Sequence, residues 1–193
     1  MCSGCRDGRK FGSRCRGGRV GHTRGFTIVE VLVAMAITLV LAGLLLATSS
    51  YFSNKGARSR AEVEIAAMSA ALENYKTDNG IYPSDITIDA RTIGDPGQYQ
   101  AASATLFKNL SGDLNGDGQP DLGVTSYMAF KPSQTGGTTA LFFVKDPFGN
   151  SYGYSTIFQS DSTKGYNPAF DLWSTAGTST TGTPNPVPWL KNW

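Results

Sequence analysis

From Phe26 to Thr48 the chain runs through 23 residues that include a single charged side chain, Glu30. A helix over that run would measure about 35 Å at ~1.5 Å per residue, enough to cross the hydrocarbon core of a bilayer. No proline interrupts it; the first proline in the chain is Pro83. Ala34, Ala36, Ala42, Gly43 and Ala47 are small enough to let neighbouring helices approach closely. A carboxylate in such a segment is costly and points to a function. Any fold must therefore accommodate one long apolar helix with an acid near its start.

Charge is distributed unevenly about this run. Residues 1–25 hold seven Lys or Arg and one acid, for a net +6; the remainder holds ten bases and fourteen acids, for −4. A basic arm before an apolar span predicts a cytoplasmic arm and a downstream region across the membrane. That span accounts for the arginines, so no nucleic-acid partner is expected. Cys2, Cys5 and Cys15 and the single histidine, His22, all lie in the arm. Their spacing matches no standard tetrahedral zinc pattern, and the arm has no apolar core to support one. No A-x-A-like cleavage site follows the apolar run, so a cut must fall before it and leave the run on the mature chain. After such a cut, thiol, imidazole and common zinc chemistry are gone. No catalytic cluster remains, and the chain reads as a non-enzyme.

The helix is predicted to continue beyond the span. Ala61, Ile65, Met68, Leu72 and Tyr75 recur at spacings of 4, 3, 4 and 3, which is one helical stripe. Arg58 and Glu62, and Arg60 and Glu64, stand four apart and are expected to pair on the opposite face. Asn79-Gly80 with Pro83 beyond is a helix stop. The expected helix spans Phe26 to about Asp78 and is ~80 Å long.

From Gly80 onward the chain is rich in Gly, Ser, Thr and Asp. Residues 101–110 are expected to form a short helix. Residues 127–130, 141–144, 152–154 and 170–173 read as strands. Gln134–Thr139 and Ala176–Pro188 read as loops, and Trp189 and Trp193 suggest a tail docked on the core. The expected fold class is α+β: a long N-terminal α-helix on a small antiparallel β-sheet head. Its parts are a leader at 1–25 that a cut before the apolar run would remove, the long helix at 26–79 with 26–48 in the membrane or among partner helices, and a head at 80–193.

Gly25-Phe26-Thr27-Ile28-Val29-Glu30 resembles the cleavage and N-methylation motif of type IV pilins and type II secretion pseudopilins. The resemblance implies that an inner-membrane aspartyl peptidase cuts after Gly25 and methylates the new amino terminus, Phe26. It also implies that subunits polymerise through their N-terminal helices. Physically, Gly25 lets an extended backbone enter the protease. The Phe26 ammonium of one subunit can then meet Glu30 of its neighbour, offsetting two costly charges and fixing register. Tyr75–Pro83 is similar to the end of the long helix in major pseudopilins. Asp146-Pro147-Phe148-Gly149-Asn150-Ser151-Tyr152 is similar to their Asp-Pro-Trp-Gly-Asn-Pro-Tyr segment, departing at Phe148 and Ser151. Phe170–Ser174 resembles their closing strand. Residues 84–145 form an expanded middle without a close counterpart.

The resemblance further implies minor pseudopilins, an assembly platform and its ATPase as partners. It implies residence in a bacterial inner membrane, with the head in the periplasm, and then in a periplasmic filament. Calcium in major pseudopilins is held by acids in the loop after the last strand pair, but residues 174–193 contain none. A different calcium candidate lies at Asp113, Asn115, Asp117, Gln119 and Asp121. These oxygen donors at loop positions 1, 3, 5, 7 and 9, with Gly118 at 6, match an EF-hand-type loop, although Val124 replaces the acid at position 12. The alternative expectations are a type IV pilus subunit for adhesion, motility or DNA uptake, and a membrane-anchored calcium-binding module that never polymerises.

Overall fold

A computed structural model describes residues 25–138, 141–178 and 188–193, with the side chains of 46–51 also left aside. Cys2, Cys5, Cys15, His22 and the rest of the arm before Gly25 lie outside the described residues, as do 139–140 and most of the expected loop before Pro188. The chain divides into two compact units at Ala47/Thr48.

Helix α1 runs Ile28–Asn79, 52 residues. In the first unit, Ile28–Leu45 is long and apolar enough to span a membrane, with a mean hydropathy of 2.6 and no buried side chain. In the second unit the predicted stripe faces the core: Ala61, Ile65, Met68 and Leu72 are buried and Tyr75 is half-buried, with Ala71, outside the predicted spacing, buried beside them. The helix ends where Gly80 adopts φ +78° and its N–H bonds Lys76 O at 2.7 Å. A left-handed residue at this position stops the helix while satisfying a free carbonyl.

The expected ion pairs do not form. Arg58 Nη1 instead donates to Pro188 O at 3.0 Å, Arg60 Nε to Gly56 O at 3.4 Å, and Glu64 accepts the Tyr152 hydroxyl at 2.7 Å. Exposed i,i+4 pairs are worth only about 0.3–0.5 kcal/mol, and these bonds within the second unit outcompete them.

Helix α2 (Gln100–Ser111) follows a 3-10 turn at Pro96–Tyr99. It buries Ala102, Leu106, Phe107 and Leu110 and closes on Gly112 at φ +76°. Strands β1 (Thr135–Thr138) and β2 (Leu141–Val144) form an antiparallel pair. Strand β3 (Gly153–Ser155), a short helix α3 (Ile157–Ser160), β4 (Asp171–Ser174) and β5 (Leu190–Lys191) complete the second unit. The three strands form one antiparallel sheet in the order β3-β4-β5.

One core cluster joins α1 (Met68, Leu72), α2 (Leu106, Leu110) and the sheets (Val144, Tyr152, Tyr154, Leu172). A second gathers Tyr99, Trp173 and Trp189, with Trp193 packed against it. The tail is docked, as its tryptophans imply. Gly153 is required by its cross-strand partner: a Cβ there would fall 2.0 Å from Cε2 of Trp173.

Two expectations for the middle are corrected. Residues 127–130 are not a strand. Tyr127 N–H and Met128 N–H both donate to Leu110 O, at 2.8 and 2.9 Å, so this backbone satisfies the end of α2 and no ladder. Thr135–Thr138, expected as loop, is a strand. Its glycines leave room for the opposing rings: a Cβ at Gly136 would come within 2.6 Å of Phe143.

Candidate functional site

The start of α1 places the residues singled out by the sequence. Gly25, Phe26 and Thr27 are non-helical, and the helix begins at Ile28. Phe26 is 82% exposed. Thr27 acts as N-cap: its Oγ1 accepts the Glu30 N–H at 3.2 Å, and its carbonyl accepts the first helical bond from Val31 N–H at 3.2 Å. Glu30 returns the contact, its Oε2 accepting the Thr27 N–H at 3.5 Å. This is a capping box, in which two otherwise unpaired amides are satisfied reciprocally. An acid in the first turn also faces the positive end of the helix dipole. Thr27 was not among the site residues expected from sequence, although the Thr-x-x-Glu spacing carries its signal.

The loop after α2 gathers its acids through hydrogen bonds. Asp113 is almost fully buried. Its Oδ1 accepts Gly116 N–H at 2.6 Å and Asp117 N–H at 3.1 Å, and its Oδ2 accepts Gly118 N–H at 2.8 Å. Asp121 Oδ2 accepts the amides of Leu114 and Asn115, at 2.8 and 3.2 Å. Asn115 Nδ2 sits between two carboxylates, donating to Asp121 Oδ1 at 2.6 Å and to Asp117 Oδ2 at 3.2 Å. Gln119 N–H donates to Asp117 Oδ1 at 2.8 Å. The five expected residues are thus brought into one loop. In this arrangement the carboxylates accept hydrogen bonds from amide donors of the same loop. Among the described residues, no group of three or more His, Cys, Asp or Glu is placed to hold a metal.

Asp146 anchors the turn that resembles the pseudopilin segment. Its Oδ1 accepts Phe148 N–H and Asn150 N–H at 3.0 and 2.9 Å, and its Oδ2 accepts the Ser174 hydroxyl of β4. Burial pushes its carboxyl above the usual carboxylate range against the pull of these donors, with the nearby Glu64 adding to the rise. Burial likewise raises the Tyr99 phenol, to about 12, and raises Tyr152 further, helped by Glu64. These groups hold the head together and are absent from the N-terminal motif.

The profile of the prokaryotic N-terminal methylation motif family matches residues 21–46, a window that contains Gly25, Phe26, the capping box and the apolar helix. This chain carries that motif. About a third of the chain is also similar to proteins named type II secretion system core protein G. Identity is 39% over 61 residues to that of Pectobacterium carotovorum subsp. carotovorum, covering 32% of this chain and 39% of the relative. It is 38% over 61 residues to that of Escherichia coli strain K12, covering 32% and 42%. It is 37% over 60 residues to that of Pseudomonas aeruginosa, covering 31% and 42%. The matched stretch thus spans about two-fifths of the length of these relatives. No solved structure matches the chain.

Proposed function

We propose that this chain is a pseudopilin, a structural and non-catalytic subunit of a type II secretion-like filament. One coincidence carries the reading: the methylation motif lies over an apolar helix with no buried side chain among the described residues. Such a surface needs lipid or other helices around it, and a filament subunit uses each in turn. The relatives' name, core protein G of type II secretion, supports the secretion branch over a type IV pilus.

On this reading a prepilin peptidase cuts between Gly25 and Phe26 and methylates the new terminus. The subunit then waits in the inner membrane with its head in the periplasm. The assembly platform and its ATPase extract it, and it joins copies of itself and minor pseudopilins. Glu30 of one subunit pairs with the Phe26 ammonium of the next. Glu30→Gln, which keeps the capping box and removes the charge, is expected to be processed, to remain in the membrane and to form no filaments, as scored by sheared-filament immunoblotting. Filaments at the wild-type level would remove the role assigned to Glu30.

Calcium at Asp113, Asn115, Asp117, Gln119 and Asp121 is a second proposal about the head. The donors fit in kind, as hard oxygens on one short loop. Binding requires the Asn115 amide to turn, so that oxygen replaces nitrogen between Asp117 and Asp121. At calcium a hundredfold above Kd the stabilisation would be about 2.7 kcal/mol. The melting temperature of the full chain in detergent is expected to rise in calcium relative to chelator, and Asp121→Ala to abolish the rise. An unchanged melting temperature counts against binding.

A further inference from the structure

We propose that Thr27 is a positioning residue for leader removal: its cap stops α1 at Ile28 and so holds the Gly25–Phe26 peptide outside the helix. This rests on the reading that the chain is cut there. Inside a helix the carbonyl of a scissile peptide is hydrogen-bonded along the axis, and its flanking side chains spiral away from each other. A protease that aligns its substrate as an extended strand would first have to unwind that turn. Here the unwinding is built in. Gly25, Phe26 and Thr27 are non-helical, Thr27 O accepts the first helical bond, and the reciprocal Thr27–Glu30 contacts fix the boundary. A Cβ placed on Gly25 would meet no described atom within 4 Å.

The sequence makes this cap consequential. The next residue upstream with a capping side chain is Thr23, four positions earlier. A helix capped there would enclose both Gly25 and Phe26 in its first turn. Thr27 therefore separates a cleavable register from a helical one. Glu30 gains a role within its own chain that precedes any neighbour, as the returning half of the box. Glutamine serves that half as well as glutamate does.

The test uses full-length chain in detergent micelles or proteoliposomes with a prepilin peptidase, following release of residues 1–25. Thr27→Val keeps the branched shape and removes the hydroxyl; it is expected to slow cleavage about fivefold, the usual effect of losing an N-cap. Thr27→Ser, Thr27→Asn and Glu30→Gln keep the box and should cleave within about twofold of wild type. Amide hydrogen exchange at Glu30 supplies a readout independent of the peptidase: protected in wild type and Thr27→Asn, fast in Thr27→Val. Cleavage of Thr27→Val at the wild-type rate would overturn the inference. So would Thr27→Asn as slow as Thr27→Val, which would mean that the enzyme reads the threonine directly, or an unprotected Glu30 amide in wild type. In each of these cases the wild-type chain is still cut and the pseudopilin reading stands. A wild-type chain that is never cut after Gly25 would overturn both.

Discussion

The two halves of α1 carry their apolar residues in different patterns. Ile28–Leu45 is apolar around its whole circumference and buries nothing. From Ala57 to Leu72 the apolar residues form one stripe, and that stripe is enclosed while Val63 beside it stays two-thirds exposed. A stripe can be covered by one neighbouring layer of the same domain; an all-round apolar surface cannot. The first half must find lipid or other helices, and the second finds its partner within its own unit. The same backbone element thus carries an all-round apolar surface at one end and a core-facing stripe at the other.

The comparison predicts that the two halves fail separately. Leu72→Ala, at a position with no exposure, should cost about 2–5 kcal/mol and lower the melting temperature of the head while membrane retention is unchanged. Leu39→Asp should do the opposite. A charge in mid-span costs about 2.5–3.5 kcal/mol of insertion, so the chain should leave the membrane fraction with its head melting as before. A loss of head stability in Leu39→Asp would break the comparison.

Smaller effects sharpen it inside the head. Gly153→Ala pushes a methyl into the Trp173 ring and should destabilise by about 1–3 kcal/mol, read by urea unfolding in detergent. Asp146 gives a pH signature. Its carboxyl is raised above the unfolded value by burial, so the stability it contributes is complete below the ordinary carboxylate range. That contribution is lost as pH rises through the elevated value. Asp146→Asn should therefore gain on wild type, in melting temperature, as pH climbs from about 4 to neutrality. A gap that stays constant with pH would show that Asp146 is already charged at the bottom of that range.

Much of this organisation was legible because periodicity reports packing. The 4-3 spacing from Ala61 to Leu72 identified the core-facing side of the helix, though not the buried Ala57 and Ala71, and Leu141–Val144 and Phe170–Trp173 announced strands through aromatic and branched side chains. Side chains misled where the backbone had other obligations. Tyr127, Met128 and Phe130 pack against the core, yet the amides of Tyr127 and Met128 serve the end of α2. Thr135–Thr138 hides a strand because its two glycines have no side chains to signal one. At the candidate site, Gly25, Phe26 and Glu30 stood out by chemistry. Thr27 did not, since a cap is a relation between two residues and shows in neither alone. At Asp113–Asp121 the same oxygen spacing that matches cation ligands also satisfies the loop's own amides.

The most direct test is the mass of the N-terminal peptide of the chain recovered from membranes after production alongside a prepilin peptidase. The account predicts a chain beginning at Phe26 and carrying one N-methyl group. A chain retaining residues 1–25, or beginning elsewhere than Phe26, would contradict it.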